Sequence, residues 1–179
     1  MAEKTTLIEM WLHWGGSFGK KGIRKLVTAY CYNVFPKVLE KIPDIKWHVV
    51  GGKEPEKIKE LNNEHIIIEG FMPDEDLRRL YHTCRLAVVP LRYGAGVKGK
   101  VVESAYFQVP LVTTSIGAEG IDATMGNMLV IDDADRMVEE ICRVYNDYAA
   151  LKEMSLAGGE LIRKYHTLEE AERVIRQGL

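Results

Sequence analysis

Short apolar runs alternate along the chain with longer segments in which apolar residues return every three or four positions. The runs at 7–12, 46–50, 66–69, 86–90, 111–114 and 128–132 are mostly rich in β-branched residues and predict six strands. Between the first two, Ile23, Leu26, Val27, Tyr30, Val34, Val38 and Leu39 share one helix face, which Pro36 should kink or divide. Asp74, followed by Glu75 and Asp76, offers a cap and negative charge to a helix running through Leu77, Leu80 and Tyr81. After the sixth run, Met137, Val138, Ile141, Cys142, Val144, Tyr145 and Tyr148 make another stripe, and the remainder reads as helix broken near Gly158 and Gly159. This alternation is the signature of an α/β fold, a doubly wound parallel sheet of about six strands, with a helical C-terminal extension. No repeat, low-complexity tract or long linker divides the chain, so residues 1–179 are expected to form one domain with 150–179 as the extension.

The composition narrows the function classes. Hydrophobic residues make up 46% and charged residues 28% of 179 residues, enough for a proper core and too few residues for two full domains. A net charge of −2 removes the global basic field that nonspecific nucleic-acid binding needs, so no nucleic-acid partner is expected. No stretch approaches the ~20 apolar residues of a membrane span, and the start lacks the layout of a signal peptide, so a cytoplasmic protein is expected. Cys31, Cys84 and Cys142 are widely spaced and read as small buried apolar residues. No metal site is expected: Asp132, Asp133 and Asp135 coincide with a helix start, where carboxylates are stabilised anyway. No glycine-flanked serine or cysteine with an evident base points to hydrolase chemistry.

In an open parallel sheet, ligands bind beyond the carboxyl ends of the strands, where loops and helix N-termini converge. Glycines gather in the loops concerned, 13–22, 51–55, 70–74, 91–98 and 114–121. Gly94, Gly96 and Gly99 let the backbone approach a ligand, and the helix that follows offers unpaired donors and a positive dipole end. Lys98 and Lys100 would be mildly destabilising there without an anion, which favours a site for nucleotide phosphates over solvated charge. As a dinucleotide fingerprint, Gly94-x-Gly96-x-x-Gly99 matches, and Glu119 offers a carboxylate to a ribose, but the pattern follows the fourth strand, with residues 90–93 intervening. As an NTPase phosphate loop, Gly94-x4-Gly99-Lys100 lacks the hydroxyl that holds magnesium, because the next residue is Val101.

The stretch 92–120 as a whole resembles the donor-binding half of retaining glycosyltransferases of family 4, the glycosyl transferases group 1, whose GT-B architecture sets two Rossmann-like domains face to face. In that family a glycine-rich loop with a lysine leads into a helix carrying a glutamate, then a strand, then a second glycine loop. The corresponding elements are Gly94 to Lys100, Glu103, Val109-Pro110-Leu111-Val112-Thr113-Thr114 and Gly117-Ala118-Glu119-Gly120. Upstream, Gly15 to Gly22 occupies the place of the family's first glycine loop, and His48 to Gly52 and Ile68 to Met72 resemble its second strand and the segment after its third. Tyr165-His166-Thr167 resembles its closing motif. Two positions depart: the family's paired glutamates fall on Ala95 and Glu103, and the arginine of its first loop falls on Gly16.

The resemblance implies a Rossmann-like domain that binds a UDP- or GDP-linked sugar as substrate and holds no permanent cofactor. It carries the donor site onto Gly15, Gly16, Lys21, Phe71, Gly94, Gly96, Val97, Lys98, Lys100 and Glu103 and assigns no catalytic residue to this half. Lys21, or its neighbour Lys20, becomes a phosphate partner, Glu103 a ribose ligand, and the loop at Phe71 a neighbour of the base. Transfer would require a second, acceptor-binding domain or subunit, so this chain alone is expected to be inactive or nearly so, with indirect membrane association through an acceptor. Ala95 and Gly16 keep a non-catalytic nucleotide-binding module open, and the glycine spacing keeps an NAD-binding domain open. The structural alternatives are turn glycines at 15 and 16, surface charge at Lys20 and Lys21, a packed or surface His13, and a partly buried Phe71. Trp11, Trp14 and Trp47 read as core, with Trp14 also able to face a missing domain.

Overall fold

In a computed structural model of the protein, the residues described are 5–9, 30, 32–51 and 56–178. Six strands, β1 (Thr5–Glu9), β2 (Lys46–Val50), β3 (Ile66–Gly70), β4 (Cys84–Val89), β5 (Leu111–Thr113) and β6 (Met128–Val130), form one sheet in the order β3-β2-β1-β4-β5-β6. All pairings are parallel. This is the Rossmann order, and it meets the expected doubly wound class. The predicted positions 10–12 of the first strand lie outside the described residues.

The connections contain helices α1 (Phe35–Lys41), α2 (Glu56–Lys59), α3 (Asp74–Thr83), α4 (Gly99–Tyr106) and α5 (Ala134–Asn146), followed by α6 (Tyr148–Tyr165) and α7 (Leu168–Gly178). Successive side chains of a strand point to opposite faces, and β4 buries both. Leu86 and Val88 join a cluster with Phe35, Trp47, Met137 and Ile141, whereas Ala87 and Val89 join a second with Leu77, Tyr81 and Val101. The first cluster thus takes in α1 and α5 and the second α3 and α4. Trp47 is core, as expected, with its ring edge-on to Tyr30 at 4.6 Å and tilted against Phe35 at 4.9 Å.

Local chemistry sets most helix ends. Pro36 falls in the first turn of α1, where its missing N–H costs nothing, so it starts a helix segment as it divides the predicted one. Residues 23–29 of that predicted face lie outside the described residues. The cap of α3 is Pro73, one residue before the expected Asp74, and the three acidic residues occupy the first turn, where the helix dipole favours them. Asp133 and Asp147 cap α5 and α6 by accepting hydrogen bonds from Arg136 N at 2.9 Å and Ala150 N at 3.0 Å. Cys84, the first residue of β4, and Cys142, within α5, are half-buried instead of fully buried, burial pushes the Cys142 thiol up, and Cys31 lies outside the described residues.

The expected break near Gly158 and Gly159 is absent: α6 runs through both and ends at Tyr165. Both glycines are buried against α4 and the turn after it. A Cβ at Gly158 would stand 3.3 Å from the Ala105 carbonyl oxygen and 3.4 Å from its Cα, so the missing side chain is what lets the two helices meet. At Gly158 this close approach of the two helices offsets the ~1 kcal/mol that a glycine costs a helix. At the far end of α6, the Tyr165 hydroxyl donates to Asp122 Oδ2 at 3.1 Å. Hydrogen bonds from the Thr124 and Tyr165 side chains hold the Asp122 carboxyl below the usual carboxylate range. Among the described residues no helix is long and apolar enough to cross a membrane.

The two glycines should respond differently to substitution. At Gly159 an added Cβ meets the movable amide of Gln108 at 2.9 Å, so Gly159→Ala is expected to hold or raise stability by up to ~1 kcal/mol. Gly158→Leu confronts backbone and should lower it by ~1–3 kcal/mol. Urea unfolding midpoints compare the two, and equal responses would remove the proposed reason for the close approach.

Candidate functional site

The strand order reverses between β1 and β4, and there the chain leaves β4 for the loop 90–98 and enters α4. Two threonines at the end of β5 anchor this exit. Thr113 Oγ1 donates to Val89 O at 2.7 Å, and Thr114 Oγ1 donates to Leu91 O. The next turn closes on Thr114, whose Oγ1 accepts from Gly117 N at 3.2 Å. Only glycine fits at 117, because a Cβ would lie 2.0 Å from Thr113 Oγ1 and 3.2 Å from Val89 O.

Gly94 and Gly96 adopt φ of +129° and +76°, the left-handed region that L side chains avoid, so the loop needs glycine at both for its path. The same geometry brings Lys98 back over the loop: its Nζ donates to Gly96 O, and a Cβ at Gly94 would approach Lys98 Cε to 3.2 Å. Lys98 is the N-cap of α4 and supplies no side-chain cap, so the helix end is not sealed by its own cap residue. Lys98 and Lys100 therefore occupy the end of a helix dipole that disfavours cations. Carboxylates answer this charge. Lys98 Nζ donates to Glu119 Oε2 at 3.1 Å, Lys100 Nζ pairs with Glu103 Oε2, and the buried Tyr81 donates its hydroxyl to that same glutamate oxygen at 3.3 Å.

Of the residues singled out from the sequence, Gly94, Gly96, Val97, Lys98, Lys100 and Glu103 come together in this loop and helix start. Gly15, Gly16 and Lys21 lie outside the described residues, as do Lys20, His13, Trp11 and Trp14. Phe71 corrects an expectation: its side chain is 75% exposed instead of partly buried. It follows β3, an edge strand with a strand neighbour on one side only among the described residues. β3 stands three strand positions from β4, roughly 14 Å at the usual spacing, so Phe71 shares the carboxyl edge with the lysines without joining them. Two partners were not foreseen as such. Tyr81 reads in sequence as part of an apolar stripe, and its hydroxyl meets Glu103 only through the packing of α3 beside α4. Glu119 reads as a ribose ligand or surface charge, and the fold pairs it with Lys98. Among the described residues no group of His, Cys, Asp and Glu is arranged to hold a metal ion.

The fold and loop define a class: a Rossmann-ordered parallel sheet with a glycine loop, two lysines and a helix N-terminus at its switch point. The model of the family described as Glycosyl transferases group 1 matches residues 14–147, and the chain belongs to that family. A relative from Klebsiella pneumoniae, named as an uncharacterized 44.6 kDa protein in the cps region, is 28% identical over 158 residues. The match covers 84% of this chain and 40% of that protein. Among solved structures, a variant of S. aureus TarM in complex with fondaparinux, alpha-GlcNAc-glycerol and UDP superposes with a TM-score of 0.73 and 19% identity, covering 98% of this chain and 35% of that one. The C-terminal domain of a glycosyl transferase group 1 family protein, LpcC from Francisella tularensis, gives a TM-score of 0.66 at 15% identity, covering 92% of this chain and 86% of that one. The chain thus shares the fold of nearly a whole C-terminal domain and spans under half of the longer relatives.

The tight turn at Gly117 supplies a direct check on this geometry. Gly117→Ala must displace a buried, hydrogen-bonded threonine and should lower stability by ~1–3 kcal/mol, whereas Gly99→Ala, with nothing within 4 Å and no positive φ, should not. A thermal melt of each variant distinguishes them.

Proposed function

We propose that this chain is the donor-binding half of a retaining, metal-independent glycosyltransferase that takes a sugar from a UDP- or GDP-linked donor. Residues 1–179 act in this reading as one nucleotide-sugar-binding domain, with 150–179 as its helical extension. The observation that carries the reading is the convergence of Gly94, Gly96, Lys98, Lys100 and the α4 N-terminus at the switch point, in a chain of the glycosyl transferases group 1 family. A diphosphate accepts hydrogen bonds from loop and helix N–H groups, and the two lysines offset its charge. When the bond between the sugar's anomeric carbon and the diphosphate oxygen breaks, its electron pair stays on the leaving nucleotide, and these donors stabilise the added negative charge. The lysines and the helix end supply the charge that a divalent metal would otherwise contribute. Glu103, held by Tyr81 and Lys100, accepts from the ribose hydroxyls. Lys21 and the glycines at 15 and 16 complete the phosphate contacts, and the loop at Phe71 faces the base.

The acceptor is bound by a second domain or partner subunit, so the domain by itself binds donor weakly and transfers little or no sugar. A cytoplasmic location and a place in polysaccharide or glycoconjugate synthesis go with this reading. Ala95, which stands where the family has a glutamate at the donor sugar, favours a second reading, a nucleotide-binding module without transferase activity.

A thermal-shift panel of UDP, GDP, ADP, their sugar conjugates, NAD and ATP tests the reading, because a ligand of the native state raises Tm by mass action. Shifts with UDP or GDP and their sugars are expected, and a shift with NAD or ATP alone would overturn it. Lys100→Ala is expected to weaken nucleoside diphosphate about 10-fold or more while sparing the nucleoside, the usual size of a lost charge-assisted hydrogen bond. Glu103→Ala should weaken ribose nucleotides more than their deoxyribose analogues. Equal losses within either pair would remove that residue's assigned role.

A further inference from the structure

The two lysines of the loop are neutralised in different ways. Lys100 pairs with Glu103 within the same helix, three residues on, so that carboxylate moves with α4. Lys98 pairs across loops with Glu119, which comes from the chain after β5. The position of Glu119 depends on how the two loops pack: Gly120, at φ +75°, lies so close to Val97 that a Cβ there would stand 2.9 Å from Val97 Cγ2.

Within the Lys98–Glu119 pair the cation is 12% exposed and the carboxylate 48%. Separating them returns Glu119 to water at little cost, while the ammonium stays at a helix end whose dipole disfavours it and needs another anion. An anion that reaches Lys98 from solvent therefore meets a competitor already in place. Resting on the reading of this loop as a diphosphate site, we propose that Glu119 is the built-in counter-ion of Lys98, displaced by the phosphates of a nucleoside diphosphate, and that it lowers the affinity of the site for them. Its role is to set the affinity, without itself touching the reacting atoms. Chloride or a monovalent carboxylate replaces one unit charge with another and gains little, whereas a diphosphate brings several charges and additional acceptors for the loop amides. Displacement also breaks the ion pair that joins the loop before α4 to the loop after β5, so the phosphates take over the bridging of the two.

The test is titration calorimetry of the full chain with UDP and GDP, with uridine and guanosine as controls. Glu119→Gln keeps the side chain's size and removes its charge. It is expected to bind UDP or GDP about 3- to 10-fold more tightly, the range for loss of a partly exposed competing ion pair, with no gain for the nucleosides. In a Lys98→Met background the same substitution should produce no gain, since the competition is for that ammonium. Unchanged or weaker nucleotide binding by Glu119→Gln overturns the inference, as does a gain that persists without Lys98. A loss seen with ribose nucleotides and absent with their 2′-deoxy forms would assign Glu119 to the ribose and overturn it as well. If UDP or GDP binds the wild-type chain and Glu119→Gln equally, only this inference falls. If neither nucleotide binds any form of the chain, the donor-site reading falls and takes the inference with it.

Discussion

Residues 86–89 of strand β4 have no face left for solvent, and the site depends on that constraint. Residues 86–89 are buried on both sides, between the helices of one cluster and those of the other. A strand so enclosed is fixed in register, because a shift by one residue would exchange its two side-chain sets. Its last carbonyls are fixed with it, and the threonines of β5 hydrogen-bond to Val89 and, just past the strand, to Leu91. The glycine loop starts from this buried, hydrogen-bonded point, so its unusual backbone angles lie on a packed base. Burial of β4 thus decides where the lysines and the helix end stand.

The second theme is charge balance. The loop proposed as an anion cradle gathers positive charge, and here each lysine has a carboxylate partner. One partner lies on the same helix and the other arrives from a neighbouring loop. The proposed functions divide along the same line: Glu103 stays as part of the donor site, and Glu119 withdraws. Tyr81, buried in the core beneath, ties the retained carboxylate to α3.

Much of this was legible in the residues. The strands appear as continuous apolar runs because a parallel sheet covered on both faces has no polar side to interrupt them. The predicted run at 46–50 matches β2 to the residue, and those at 66–69, 86–90, 111–114 and 128–132 differ by one or two residues at their ends, where hydrogen bonding to a neighbour, invisible in one segment, decides the limit. Gly158 and Gly159 misled because a glycine pair in isolation is a helix breaker, and what Gly158 accommodates, the backbone of α4 at close range, lies more than 50 residues away in sequence. Phe71 misled in the opposite sense: an aromatic residue invites a core assignment, and only the strand order shows that β3 is an edge. The glycine loop and its lysines could be read because they are contiguous. The pairing of Lys98 with Glu119 could not, since it is made by two loops that meet only once β4 and β5 are side by side.

The contact at Gly158 also works as a detent. Helix α6 lies against α4 at a spot where neither backbone is padded by a side chain, and sliding α6 by one turn would bring Met154 or Ile162 to that spot. Axial travel of α6 past α4 is therefore opposed by steric contact at this spot. Tyr165 fastens the other end of α6 to Asp122, in the same loop segment that carries Glu119. The C-terminal helix α6 thus touches both elements that carry the loop carboxylates, α4 through Gly158 and the segment after β5 through Tyr165.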